Sequence, residues 1–296
     1  MPGLKEIRNR MTSVATTQQI TSAMKLVSAS KLKRAQDTIL KLRPYKNKFN
    51  EILQHLISSS EENISIDVPF ISKNNTQQKN ILIIPVTSNR GLCGSFNSNI
   101  IKTTLNIIKK EYSEQYNNNN LYLITIGKKA TDFFKKNNYN VIHSYYELLD
   151  KVNFDNTVNI TEKLMEKFIN KEFDKCIIIY NYFRNAATQD IKIEQFLPIK
   201  IDIEKNNKYI ADYIFEPNKK EIFKNIIPHY LKLNFYKIIA ESVAAEHGAR
   251  MTAMHKATDN AQEILKLLRL SYNKARQASI TKEILEIVGG AEALKK

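Results

Sequence analysis

From Leu4 to Arg43 the chain contains neither glycine nor proline, and from His229 to Val288 it has no proline and the single glycine Gly248. Both stretches are made mostly of good helix formers, so at 1.5 Å per residue they permit helices of about 60 Å and about 90 Å. An ordinary globular helix is about 12 residues long. Helices this long must bury a face against each other, which predicts a coiled coil formed by the two ends of the chain.

Apolar residues in the first stretch recur in a heptad. One row reads Leu4, Met11, Gln18, Lys25, Leu32, Ile39, Lys46 and Leu53; the other reads Ile7, Val14, Thr21, Ser28, Ala35, Leu42, Phe49 and Leu56. The seam is apolar at both ends and polar in the middle. The last stretch offers Met254, Ala257, Ala261, Ile264, Leu268, Ser271, Ala275 and Ala278 as its seam. Small residues there let another helix approach closely. Gly248 costs about 1 kcal/mol inside a helix, a loss that close packing offsets.

The period changes between the ends. "ILIIPV", "LYLITI", "CIIIY" and "IKIEQFLPI" read as strands, separated by helix-like "NSNIIKTTLNIIKKEY", "KKATDFFKKN" and "TEKLMEKFINK". Strands alternating with helices predict an α/β domain with a largely parallel sheet. The Ser-, Asn- and Gln-rich stretch 58–79 reads as the incoming linker and "EPNKKEIFKNIIP" as the outgoing one. The chain thus divides into an N-terminal helix at 1–57, an α/β domain at 80–215 and a C-terminal helix at 219–296.

Charge is unevenly placed. The formal net charge is +15. Residues 1–57 hold eleven Lys or Arg against three acids, residues 58–228 hold 23 against 20, and residues 229–296 hold eleven against seven. Seven of the nine arginines lie in the two end segments, so the ends rather than the middle face something acidic. In "SAMKLVSASKLKRA" the cations Lys25, Lys31, Lys33 and Arg34 sit among small residues, and a solvated basic face, a nucleic acid or an acidic protein partner each fit that pattern.

The loop in "ILIIPVTSNRGLCGSFN" raises the question of phosphate binding. A P-loop needs Gly-x-x-x-x-Gly-Lys-Ser/Thr and a dinucleotide fold Gly-x-Gly-x-x-Gly, whereas only Gly91 and Gly94 are present here. A tight turn from strand to helix accounts for both glycines by backbone sterics, with Arg90 left to meet an anion or a carboxylate. The five histidines have no metal-ligand spacing and no acid cluster joins them, so neither a metal site nor a cofactor is expected. Cys93 and Cys176 read as two buried free thiols. The longest apolar runs fall far short of the roughly 20 residues that span a bilayer, and "MPGLKEIRNR" lacks the apolar centre of a secretory signal, so a cytosolic chain is expected. A basic coiled-coil scaffold or nucleic-acid-binding protein, and after it an enzyme of the α/β domain, stay open on these residues alone.

The stretches "MPGLKEIRNRMTSVATTQQITSAMKLVSASKLKRAQ", "ARMTAMHKATDNAQEI" and "LSYNKARQASITKEILEIVGGAEAL" at the ends, with "TSNRGLCGSFN", "YNYFRNAATQ" and "FLPI" between them, resemble the gamma subunits of bacterial F-type ATP synthases. The likeness runs from residue 1 to about 296 and is looser at 58–80 and 110–170. No inserted cysteine pair of the chloroplast type is present and no transit segment precedes Met1, so the bacterial form is expected. The resemblance implies an α/β fold class: a long antiparallel coiled coil of the N- and C-terminal helices with an inserted Rossmann-like α/β domain. It further implies a non-catalytic central shaft inside a ring of three alpha and three beta subunits. The α/β domain would meet the epsilon subunit and the c-ring, on the cytoplasmic side of the inner membrane, and no nucleic acid or cofactor would be bound. The matching positions imply that Met24 and Lys25 meet an acidic loop of beta, and that Arg250, Gln277 and Thr281 make polar contacts to beta. Small residues such as Ala249, Ala253, Ala257 and Ala278 would leave the shaft few knobs to lock into that sleeve. Read without the resemblance, Met24 is seam packing, Arg250 an intrahelical pair, and Gln277 and Thr281 solvated positions.

Overall fold

A computed structural model describes residues 3–58, 70, 79–199, 216 and 219–293. The incoming linker expected at 58–79 lies almost wholly outside the described residues, as do residues 200–215 of the α/β stretch and residues 294–296. The chain forms two compact units, one of Met1–Ser28 with Arg250–Lys296 and one of Ala29–Ala249. Its elements run α1 (Leu4–Ser58), β1 (Ile81–Pro85), α2 (Phe96–Glu111), α3 (Ser113–Asn117), β2 (Leu121–Ile126), α4 (Lys128–Lys136), β3 (Val141–Tyr145), a 3-10 turn (Glu147–Leu149), α5 (Phe154–Ile169), β4 (Lys175–Phe183), β5 (Gln189–Leu197) and α6 (Lys219–Ala293). The end helices hold 55 and 75 residues. Both continue through a proline, Pro44 in α1 and Pro228 in α6. A proline inside a helix costs about 3 kcal/mol. Side-chain packing beyond it offsets that loss: Phe49 lies 5.6 Å from the His229 ring and 6.1 Å from that of Tyr230.

In the first unit the two helices run antiparallel. The Thr258 hydroxyl donates to that of Thr21 at 2.9 Å, and four residues later on α1 Lys25 meets His255, three residues earlier on α6. Every described side chain of the two heptad rows on α1 is buried or half-buried; Lys46, Leu53 and Leu56 lie outside the described side chains. The polar middle of the seam is satisfied internally. Thr21 donates to the Gln18 carbonyl at 3.0 Å and Ser28 to that of Met24 at 2.8 Å, so neither buried hydroxyl is left with the desolvation cost of an unmade bond.

On α6 one row of the seam needs correction. Met254, Ala257, Ala261, Leu268 and Ala275 are buried or half-buried as expected, but Ile264, Ser271 and Ala278 are exposed. The second row is Thr258, Leu265, Tyr272 and Ser279, one residue further on. Steps of three and four residues both satisfy a heptad, so periodicity alone leaves the choice of phase open. The small residues favoured the wrong one. Residues 280–291 are all exposed.

The second unit holds a five-stranded sheet in the order β3-β2-β1-β4-β5, parallel except for the β4–β5 hairpin. Side chains alternate across it as the pleat requires. Ile81 and Ile83 of β1, with Ile177 and Ile179 of β4, pack against α2 and α4; Leu82 and Ile84, with Cys176, Ile178 and Tyr180, pack against α5 and the first part of α6. Both cysteines are buried and free, and burial pushes the Cys176 thiol well up. Gly248 sits in a close approach, since a Cβ there would lie 3.2 Å from the Ala186 carbonyl oxygen and 3.4 Å from the Phe183 ring. Of the segments read as strands, all four are strands. The edge strand β3 went unread, because "VIHSY" is short, has no fully buried residue and carries no alternation.

Candidate partner-contact site

The loop after β1 stands at the carboxyl end of the central strand, beside β4, where the strand order changes direction and open α/β folds hold their ligands. Here the loop closes on itself. The Ser88 amide donates to Asn97 Oδ1 at 2.9 Å, the Ser88 hydroxyl donates to the Arg90 carbonyl at 2.6 Å, and Asn97 Nδ2 donates to Ser88 Oγ at 2.9 Å and to Cys93 Sγ at 3.3 Å. Gly94 has a positive φ of 61°, which glycine adopts without strain.

The first-turn amides of α4 are occupied as well. Lys128 N donates to Asn89 Oδ1 at 3.1 Å, Lys129 N to the Ser88 carbonyl at 3.2 Å, and Ala130 N to the Thr87 hydroxyl at 2.9 Å. A phosphate would have to displace these partners to use the helix end. Titrating the chain with ATP in a calorimeter should therefore show no saturable heat. Micromolar binding that an Arg90→Ala variant abolishes would overturn this reading of the loop.

The residues assigned to partner contact lie on the paired helices of the first unit. Met24 and Lys25 are half-buried, and Lys25 Nζ lies 3.3 Å from His255 Nδ1, which is itself 3.4 Å from Asp259 Oδ2. Lys25 thus joins a Lys-His-Asp cluster across the two helices, in which the same nitrogen, His255 Nδ1, either accepts from Lys25 or carries a proton toward Asp259. Gln277 and Thr281 are exposed one turn apart on α6, and the Thr281 hydroxyl donates to the Gln277 carbonyl at 2.9 Å. Their side chains share a face open to a partner. Arg250 retains only 8% exposure, so little of its guanidinium meets solvent.

Sequence reasoning missed both His255 as the neighbour of Lys25 and the apolar surface beside it. Ile20, Leu26 and Val27 are 55, 69 and 57% exposed. Their non-seam heptad positions were a signal, since an apolar side chain outside the seam is buried by nothing in its own pair of helices. In the second unit Lys31, Lys33 and Arg34 all point to solvent while Leu32 between them is buried.

Against known proteins, a family model described as ATP synthase matches residues 3–294. The ATP synthase gamma chain of Cytophaga hutchinsonii is 50% identical over 297 residues, covering 99% of both chains, and that of Flavobacterium psychrophilum is 50% identical over 298 residues, covering all of both. Among solved structures, a chain of the Euglena gracilis mitochondrial ATP synthase (OSCP/F1/c-ring, rotational state 3) superposes with a TM-score of 0.68 at 18% identity, covering 98% of this chain and 94% of that one. A chain of the Tetrahymena thermophila mitochondrial ATP synthase central stalk and c-ring gives 0.57 at 22% identity, covering 80 and 99%. At such identities the structural likeness speaks for the fold, including the two long end helices around a sheet domain. Sequence likeness over the full length carries the family, and the chain belongs to the ATP synthase gamma-chain family.

Proposed function

We propose that this chain is the central rotating shaft of an F-type ATP synthase, coupling proton flow through the membrane sector to ATP synthesis or hydrolysis on other subunits. The observation that carries the reading is 50% identity over the whole length to ATP synthase gamma chains. A shaft built on two paired helices is asymmetric about its own axis. Each orientation therefore favours a different state of each surrounding catalytic subunit, which is coupling by differential contact.

The finer parts of the proposal are these. Three alpha and three beta subunits surround the paired helices; the epsilon subunit and the c-ring meet the sheet domain; the assembly lies on the cytoplasmic face of a bacterial inner membrane. Among the described residues no helix is long and apolar enough to cross a membrane; in this proposal attachment runs through the other subunits. The shaft performs no chemistry itself, a reading supported by the self-closed loop after β1. Met24, Lys25, Arg250, Gln277 and Thr281 contact beta, and 1–57, 80–215 and 219–296 are the functional divisions of the chain.

Affinity capture of the tagged chain from its own cells tests the reading. Alpha and beta subunits should come down with it from the membrane fraction. Recovery instead of RNA or DNA that high salt releases would favour a nucleic-acid-binding protein. In the same experiment, replacing Lys31, Lys33 and Arg34 together by Gln should reduce the alpha and beta recovered, most at low ionic strength, although each exposed pair is worth only about 0.2–1 kcal/mol. Equal recovery at every salt concentration would make that basic face a solvated one.

A further inference from the structure

In the sheet-bearing unit α6 carries a stripe of polar side chains into the surface it packs against. Glu194 of β5 is held from two directions: the Tyr180 hydroxyl of β4 donates to Oε2 at 3.0 Å, and Asn234 Nδ2 of α6 donates to Oε1 at 2.9 Å. One turn along α6, Lys237 Nζ donates to the Tyr180 hydroxyl at 3.4 Å and lies 3.3 Å from Glu241 Oε2. The Lys237 ammonium also stands over the rings of Tyr180 and Tyr182, 5.7 and 6.0 Å from their centroids. The side chains of Lys237 and Glu241 are 13 and 2% exposed. Burial first, and the Glu194 charge next, push the Tyr180 hydroxyl well up, which keeps it a donor.

Withdrawing the Glu241 carboxylate and the Lys237 ammonium from water, with Glu194 half-buried beside them, is a costly way to attach a helix, because well-packed apolar residues of similar volume commonly do as well or better. Apolar neighbours are already present, with Phe223, Ile227, Leu231, Phe235, Ile238 and Ile239 of α6 buried in the same cluster as the strands. What the polar stripe adds is direction. Apolar contact resists separation, but because it is non-directional it resists a helix rolling or sliding on its bed far less. Hydrogen bonds weaken steeply as their distance and angle depart from optimum, so they resist those two motions in particular.

We propose that Tyr180, Glu194, Asn234 and Lys237, with Glu241 holding the Lys237 ammonium from within α6, form the joint that fixes α6 against rolling and sliding on the sheet, so that torque passes between the sheet domain and the shaft helix. They are positioning residues that act through α6, which continues as one helix to Ala293. The inference rests on the shaft reading above.

The test uses the whole complex in inverted membrane vesicles, reading ATP hydrolysis and ATP-driven proton uptake under increasing opposing proton gradients. Glu194→Gln, Lys237→Gln and Tyr180→Phe complexes should assemble in the parent amount and hydrolyse ATP at the parent rate without load. Protons moved per ATP should fall about twofold or more at the highest load, the size of effect that a disturbed coupling network gives. A merely structural role would lower the amount of complex and leave that ratio unchanged in what assembles, and this result would overturn the proposal. Should Glu194→Gln or Lys237→Gln fail to assemble, Tyr180→Phe, which removes one hydroxyl, decides by the same criterion. Vesicles carrying the parent chain are the reference: if they pump and the variants match them at every load, the joint falls alone, whereas parent vesicles that assemble and hydrolyse but never pump contradict the shaft reading.

Discussion

A shaft tethered at Lys25 should stop. With Cys93 and Cys176 replaced, a cysteine at Lys25 and another in the facing acidic loop of beta should form a disulfide on oxidation, provided their Cα atoms come within about 7 Å. ATP hydrolysis and proton-driven synthesis should then fall together to background, and reduction should restore both. The reason is rotational: the segment around Lys25 must leave one beta subunit and meet the next in every cycle. A static scaffold has no such requirement. The structure also chooses the background substitutions. Cys176 is fully buried among apolar side chains, so Cys176→Ala avoids an unpartnered hydroxyl there, whereas Cys93 accepts from Asn97 Nδ2, so Cys93→Ser keeps an acceptor. Replacing Lys25 gives up its approach to His255 at the surface of the helix pair, and the reduced form measures what that alone costs. Multisite turnover at the uncrosslinked rate with the bond fully formed would show that this contact need never break, and the rotor assignment of α1 would have to be given up.

Gly127→Ala should cost the sheet-bearing unit ~4 kcal/mol or more, among the largest effects a single substitution has. Gly127 sits at φ 93° and ψ 142° between β2 and α4, a region that side chains with a Cβ pay heavily to enter. A Cβ built there lies far inside the van der Waals contact distance of the Thr87 carbonyl oxygen and presses on the Thr87 hydroxyl. Thr87 has nowhere to go. It is buried, its amide and hydroxyl both donate to the Ile126 carbonyl, at 2.8 and 3.2 Å, and its hydroxyl accepts from Ala130 N. Moving it would loosen the ends of β1 and β2 and uncap α4 at once. Thermal unfolding of the full chain should show the loss as a midpoint lower by about 10 °C, at roughly 2–4 °C per kcal/mol for a unit of this size. Gly91→Ala is the control, because nothing lies within 4 Å of a Cβ at that position; it should shift stability by no more than about 0.5 kcal/mol. A variant at Gly127 that melts with the one at Gly91 would mean that the crossing of β2 into α4 is wrongly described.

What could be read from residues alone follows from how local the cause is. Heptad periodicity is local, and it located the inner face of α1 from Leu4 to Phe49. The same rule left two phases open on α6, and only the partner helix distinguishes Leu265 and Tyr272 from Ile264 and Ser271. Strands with dense β-branched runs were legible; β3 was not, because an edge strand without a fully buried residue has no sharp inner face to write an alternation. The start of α5 was set late, at "TEKL", although Asn153 caps it eight residues earlier by accepting from the Asn156 amide at 2.9 Å. Lys25 and His255 are 230 residues apart, and the members of the Glu194 network come from three elements. No spacing rule joins such residues before the fold has done so.

That separation has a consequence during synthesis. Thr21 and Lys25 find their partners 237 and 230 residues later in the chain, and at about 5–20 residues per second a ribosome takes roughly 10–50 s to deliver them. Throughout that interval the nascent α1 has its seam residues Ile7, Thr21 and Ser28 uncovered, and an isolated helix without its packing partner is only marginally formed in water. The sheet domain, whose parallel pairings lie within residues 81–183, can condense meanwhile. The helix made first is therefore completed last, and the newborn chain spends its longest wait with the inner face of that helix uncovered.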